Sequence, residues 1–206
     1  MLDYIEQIYF INLKKRTDRR AHILNELSKI FDKDDKRIKD IGGIEHKNGG
    51  YGCTLSHAKV IQDAIENNYK HILIFEDDFE LIVKPELFIK QLKYIIKFDP
   101  NYNVFMLNFN HRKPPIKINN NISKCIRTQT ASCYLVNCNY FEQLFNNFNE
   151  AIQGQIKTSN MVKYMNDKYW FKLQGPNSKF YCSTSRLGKQ MKSYSNILNK
   201  VVDYKV

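Results

Sequence analysis

Three short runs of β-branched and aromatic residues set the strongest limit on what this chain can fold into: Ile8 to Leu13, His71 to Phe75 and Asn103 to Asn108. Each is apolar almost throughout, so each reads as a strand covered on both faces rather than one with a wet side. Helical spacing fills the stretches between them. Thr17 or Asp18 caps a helix whose apolar positions are Ile23, Leu24, Leu27, Ile30 and Phe31. Thr54 caps a second, with Leu55, Ala58, Ile61 and Ile65 on one face. Pro85 opens a third, with Leu87, Phe88, Leu92, Ile95 and Ile96 along its apolar side. Strands alternating with helices specify an α/β sandwich around a mainly parallel sheet, and in such sheets working groups gather at the carboxyl ends of the strands.

The remaining segments are less regular. IGGIEHKNGGYGC, residues 41 to 53, holds five of the eight glycines and reads as a loop, as does HRKPPIKINNN at 111 to 121. Ile126 to Asn137 supplies one or two strands and Tyr140 to Phe148 a helix. A helix from Met161 to Phe171, a turn at GPN and a strand at Lys179 to Cys182 complete the expectation. No repeat or linker divides the 206 residues, so residues 1–206 are expected to form one domain.

Charge narrows the partners. With 32 Lys and Arg against 21 Asp and Glu, the net charge is +11, which favours polyanions such as nucleotides, phosphorylated lipids or nucleic acid. Cys53, Cys125, Cys133, Cys138 and Cys182 form no CxxC pair and no zinc-spaced set, as expected of reduced thiols in a cytosol-like compartment. MLDYIEQIYFINL has early acids and no signal-peptide pattern, and no apolar stretch could span a bilayer, so the expected location is cytoplasmic.

Against this basic background the second strand runs into Glu76-Asp77-Asp78. Alternation along a strand puts Glu76 and Asp78 on one side and Asp77 on the other. Carboxylates this close raise each other's pKa unless a positive group joins them, and oxygen-only ligation suits Mg²⁺ or Mn²⁺. The loop NLKKRTDRR offers Arg16 and Arg19 for bidentate phosphate contacts. GYGCTLSH, residues 50 to 57, brings glycines and a helix N-terminus that favours an anion, with Ser56 and His57 in its first turn. Each feature also has a plain reading: a solvated acidic turn, a solvated basic loop, a structural histidine. No nucleophile relay, Walker A loop or GxGxxG is present.

IYFINLKKRTDRR, GCTLSH and ILIFEDD, in that order, resemble glycosyltransferase family 25, the group of lipooligosaccharide and collagen hydroxylysine galactosyltransferases. TASCYLVNCNYFEQL and QMKSYSNI resemble later stretches of that family, with Asn196 where an aspartate is usual. The resemblance implies a GT-A-type nucleotide-sugar fold. It further implies a UDP-sugar donor carrying galactose or glucose, and inverting transfer to a hydroxyl of a glycan, lipooligosaccharide or collagen-like protein.

By that resemblance Asp78 and Glu76 hold Mn²⁺ or Mg²⁺, and Glu76 or Asp77 reaches the metal or ribose. Asn12, Arg16 and Arg19 face the nucleotide, Ser56 and His57 stand near the donor pocket, and Gln190 joins the cofactor side. An inverting transfer also needs a base to take the acceptor's proton, and the candidate is Asp167 in MNDKYW, with Glu142 and Glu150 as weaker options. Tyr169 and Trp170 stack on a sugar or pack in the core. Residues 1–110 would bind the nucleotide sugar and 111–206 the acceptor, with peripheral membrane contact allowed and no nucleic acid expected. The competing readings are a polyanion-binding module that stacks single-stranded nucleic acid on its aromatics, and a transferase fold without activity.

Overall fold

The strand expected at Ile8 to Leu13 is β1 (Gln7–Ile11) in a computed structural model that describes residues 2–160, 162–195 and 200–203. It leads into α1 (Thr17–Ser28) and the short β2 (Ile38–Asp40). Next come α2 (Gly49–Glu66), β3 (His71–Glu76), β4 (Phe79–Leu81) and α3 (Pro85–Phe98). The middle of the chain is mostly strand: β5 (Val104–Met106), β6 (Asn110–Lys113), β7 (Ile116–Lys117), β8 (Ile122–Lys124), β9 (Arg127–Gln129) and β10 (Cys133–Asn137). Then follow α4 (Phe141–Thr158), α5 (Asn166–Tyr169), a 3-10 turn at Trp170–Leu173, β11 (Phe180–Ser183), β12 (Gly188–Gln190), β13 (Ser193–Ser195) and β14 (Lys200–Val202).

Eight strands form one sheet in the order β2-β1-β3-β10-β5-β11-β8-β7. Only β10 and β8 run against the common direction, so the sheet is mainly parallel and the fold is α/β. Strand alternation divides the interior in two. Tyr9, Ile72, Ile74, Tyr134 and Val136 face α2 and α4, where Ile61, Leu144, Phe148 and Trp170 meet them. Ile8, Phe10, Leu73, Phe75 and Leu135 face α1 and α3, against Ile23, Leu27, Phe88 and Leu92. This explains the unbroken apolar runs: both faces of the central strands are dry, and each large side chain so buried contributes about 1.5–3 kcal/mol.

Four expectations need correction. α2 starts at Gly49, more than a turn ahead of Thr54, because the Asn48 side chain accepts the N–H groups of Gly50 (3.1 Å) and Tyr51 (3.3 Å). The last three glycines of the stretch, Gly49, Gly50 and Gly52, therefore lie in the first turn of a helix, while residues 41–48 form the expected loop. Gly52 is there for space: a Cβ would lie 2.4 Å from the carbonyl oxygen of Ile44, in the loop that crosses the helix start. α1 has Arg16 before it with no side-chain cap, so neither Thr17 nor Asp18 serves that role. The expected loop at 111–121 contains most of β6 and all of β7. The helix expected from Met161 to Phe171 is only α5 and the 3-10 turn. Met161 and Asn196 fall outside the described residues. Among the described residues no helix is long and apolar enough to cross a membrane, and the five cysteines are free.

Candidate functional site

β1 and β3 are parallel neighbours with Ile11 opposite Glu76, so the loop after β1 and the acidic turn after β3 emerge side by side. α2 begins at the same edge. Between them opens a cleft of about 340 Å³, whose walls include Arg16, Arg19, Cys53, His57, Glu76 and Asp78.

The acidic turn splits as strand alternation requires. Asp77 turns toward the β1 loop: its Oδ1 accepts from Arg19 Nη1 at 2.7 Å and its Oδ2 from Asn12 Nδ2 at 2.8 Å. Glu76 and Asp78 turn the other way and converge on Gln190, whose Nε2 lies 3.5 Å from Glu76 Oε2 and 3.4 Å from both Asp78 oxygens. Residue 190 arrives there because β12 pairs with β4, and the Met191 N–H donates to the Asp78 carbonyl at 2.7 Å. Burial, joined by the Glu76 charge, pushes the Asp78 carboxyl up to about 7. Burial also raises Asp77 despite the pull of Arg19. Asp77 has its cation; Glu76 and Asp78 share only a neutral amide and the distant edge of Arg19, 3.4 Å from Asp78.

Glu76 is held from behind. His57, fully buried, brings its Nε2 to 2.9 Å from Glu76 Oε1 and its Nδ1 to 2.8 Å from the Tyr134 hydroxyl. If Tyr134 donates to Nδ1, the imidazole presents an N–H to the carboxylate. Cys53 Sγ stands 3.7 Å from the same Glu76 oxygen. Cys53, His57 and Glu76 thus form a compact set of potential ligand atoms. Burial raises the Cys53 thiol well above its ordinary value, so it is a thiol rather than a reactive thiolate.

The structure changes the parts assigned to several residues. Arg19 spans Asp77, the Ser193 hydroxyl (2.5 Å) and the Tyr194 carbonyl (3.1 Å), which ties the acidic turn to β13. Arg16 donates twice to Asp18 (2.9 and 2.8 Å) and once to the Tyr194 carbonyl (3.0 Å). Both arginines line the cleft, as expected of groups facing a nucleotide, and both are also engaged with the chain's own acids and carbonyls. Asn12 is buried against Asp77 and the Arg16 carbonyl (3.1 Å), behind the wall rather than on it. Ser56 and His57 stand two turns into α2, not at its N-terminus. Ser56 donates to the Gly52 carbonyl (2.7 Å) and accepts the Ile44 N–H (2.8 Å), holding the loop over the helix.

The acceptor-side candidates fare differently. Glu142 sits exposed in the first turn of α4, which follows the antiparallel β10, so it lies at the amino edge of β3, the opposite end from the cleft. Glu150 is exposed and bound to Tyr169 and Lys172. Trp170 is fully buried, donates to the Thr128 carbonyl (3.0 Å) and packs edge-on against Tyr134 and Phe180, so it is core. Asp167 is not among the residues lining the cleft. Its Oδ2 accepts the N–H of Thr130 (3.1 Å), a β-branched residue at φ 85°, while its Oδ1 is buried without a hydrogen-bond partner. Burial raises its pKa. Two contributors escaped the sequence reading. Cys53 stands one helical turn before His57, a spacing that could have revealed it. Tyr134 gives no such sign in a uniformly buried strand.

Taken together, a mainly parallel α/β sheet places an acidic turn at the end of a central strand, facing a cleft at the carboxyl edge where sheets of this kind commonly take ligands. Residues 44–165 match glycosyltransferase family 25 (LPS biosynthesis protein), and the chain belongs to that family. Membership supports a role in glycosyl transfer. Comparison with curated proteins gives no match. Among solved structures, A197 from STIV is 13% identical with a TM-score of 0.49, over 90% of this chain and 84% of that one. A glycosyltransferase involved in glycosylating the major capsid of PBCV-1 is 12% identical with a TM-score of 0.49, over 84% and 78%. A protein described as mannose-1-phosphate geranyltransferase, from Thermus thermophilus, is 7% identical with a TM-score of 0.46, over 86% of this chain and 58% of that one.

Proposed function

We propose that the chain is a GT-A-type transferase that moves a hexose, galactose or glucose, from a UDP-sugar to an acceptor hydroxyl with inversion, assisted by Mn²⁺ or Mg²⁺. The observation that carries this reading is the convergence of Glu76 Oε2 and both Asp78 oxygens on one amide nitrogen inside the cleft. That point sits among carboxylate oxygens, which repel unless a positive group occupies it. The donor set is oxygen only, and rotation of the Gln190 amide would add Oε1, so the residues fit a hard divalent cation. Such an ion, when bound, would neutralise charge on the departing diphosphate.

The chain's own groups prepare this arrangement. Arg19 and Asn12 take Asp77 out of the competition, leaving Glu76 and Asp78 as the pair. His57, set by Tyr134, fixes one Glu76 oxygen so that the other points at Gln190. Ser56 and Gly52 keep the loop at 41–48 close against α2 and so shape the opposite wall. Asp167 enters this account as the brace of Thr130 at the start of β10.

A thermal-shift panel of nucleotide sugars, each with and without Mn²⁺, tests the proposal. One UDP-hexose at a hundred times its Kd should stabilise the protein by about 2.7 kcal/mol, and only with the metal present. No stabilisation by any nucleotide sugar with Mn²⁺ would refute it.

A further inference from the structure

The two oxygens of Glu76 face different neighbours. Oε2 points to Gln190 and the oxygen-only position beside Asp78, whereas Oε1 lies 2.9 Å from His57 Nε2 and 3.7 Å from Cys53 Sγ. The ligand atoms of this second group, one sulfur, one nitrogen and one oxygen, all lie within 4.8 Å of one another. Around a tetrahedral zinc ion, ligand atoms on bonds of about 2.0–2.3 Å stand about 3.4–3.6 Å apart, so small side-chain rotations would bring these three onto a common ion. Cys53 and His57 are one turn apart on α2 and share a face, at the i, i+4 spacing that lets a metalloprotease helix hold zinc with two side chains.

Two further observations point to a ligand. His57 Nδ1 is 2.8 Å from the Tyr134 hydroxyl, the kind of outer partner that fixes a metal-binding imidazole. With Nδ1–H donating to that oxygen, Nε2 turns its lone pair toward the ion. Asn166, 2% exposed, brings Oδ1 to 3.9 Å from Cys53 Sγ and leaves Nδ2 buried without a hydrogen-bond partner. Hydrogen bonding alone accounts for the imidazole, but it gives the thiol only weak contacts and Asn166 Nδ2 none. Cys53, His57 and Glu76 all line the cleft, with Cys53 and Glu76 partly exposed, so an ion can reach them.

We infer that Cys53 Sγ, His57 Nε2 and Glu76 Oε1 form a zinc site, and that zinc held there antagonises the cation bound by Glu76 Oε2 and Asp78. The donor set decides the metal: sulfur and imidazole nitrogen favour zinc, while the harder Mn²⁺ and Mg²⁺ prefer oxygen. Coordination sends the thiol proton to solvent. Glu76 would then serve two cations through its two oxygens, and their mutual repulsion makes each weaken the other. The zinc site stands without the transferase reading; the antagonism rests on it.

The test uses the whole chain and Co²⁺ as a spectroscopic stand-in for zinc. Co²⁺ bound to a thiolate gives a charge-transfer band in the near ultraviolet, expected in the parent, displaced by Zn²⁺, and absent from Cys53→Ser and Cys53→Ala. Calorimetry of UDP with Mn²⁺ reads the antagonism: equimolar Zn²⁺ should weaken UDP binding at least about fivefold in the parent and not in Cys53→Ser. A missing band, a band retained in both Cys53 variants, or zinc that leaves UDP affinity unchanged in the parent would overturn the inference. The same weakening in Cys53→Ser would also overturn it, since zinc would then be replacing Mn²⁺ beside Asp78. If UDP fails to bind with Mn²⁺ while the cobalt band appears in the parent and is lost in the variants, the transferase reading falls and the zinc site stands.

Discussion

Replacing Arg19 with methionine should cost stability first and donor binding only in consequence. The Arg19 and Asp77 side chains are 12% and 10% exposed and their charged atoms are 2.7 Å apart, so the pair is effectively buried. Removing one member of such a pair costs about 3–5 kcal/mol, because the other charge is left in a poor solvent. Two features argue for the low end. Asn12 still donates to Asp77 Oδ2, and burial already raises the Asp77 pKa, so the stranded carboxyl can escape by taking a proton. A loss of about 3 kcal/mol corresponds to a fall in Tm of about 6–12 °C for a chain of this size.

The pH dependence has a fixed sign. Without Arg19 the folded pKa of Asp77 rises further above its unfolded value, so stability is present at low pH and lost as pH rises through the folded pKa. The deficit relative to the parent should therefore shrink as pH falls through the raised folded pKa of Asp77. Asp77→Asn added to Arg19→Met should recover much of the loss, since no charge is then stranded. Thermal unfolding followed by circular dichroism measures all three. A Tm within about 2 °C of the parent, together with lost UDP affinity, would refute the reasoning and return Arg19 to the phosphate.

Gly52→Ala should lower stability by about 1–3 kcal/mol, because the Ile44 carbonyl must give way, and denaturant titration reads it directly. Tyr134→Phe strands His57 Nδ1 in a dry core, and a loss of about 1–3 kcal/mol in the same assay is expected. Asp167→Asn should lower Tm through the Thr130 turn while leaving Mn²⁺-dependent UDP affinity unchanged in calorimetry; unchanged Tm with abolished sugar transfer would instead make it a base. Protons compete with the cation for Asp78, so Mn²⁺ affinity should weaken as pH falls through about 7, which titration at several pH values checks.

The alternation of strand and helix was legible because apolar period is a local property, and both cores follow from it: Tyr9 and Phe10 point to opposite layers simply by being neighbours on a strand. The same rule separated Asp77 from Glu76 and Asp78. What the sequence hid depended on distance. The start of α2 was hidden because glycines argue against helix unless a cap and a crossing loop reward them, and Ile44 is what Gly52 makes room for. Arg19 looks like a phosphate donor in the sequence because nothing local says that Ser193 and Tyr194 return to meet it. Trp170 and Glu142 are candidates by neighbourhood in sequence, and the reversed direction of β10 sends Glu142 to the far edge. Gln190 was legible through family resemblance alone, since its reach to the acidic turn depends on β12 pairing with β4.

The central claim is that Glu76 and Asp78 hold a cation on which UDP binding depends. Calorimetric titration of UDP into the protein with Mn²⁺, with chelator, and in Asp78→Ala with Mn²⁺ addresses it directly. Binding is expected in the first case and none that can be measured in the other two. Equal UDP affinity in all three would contradict it.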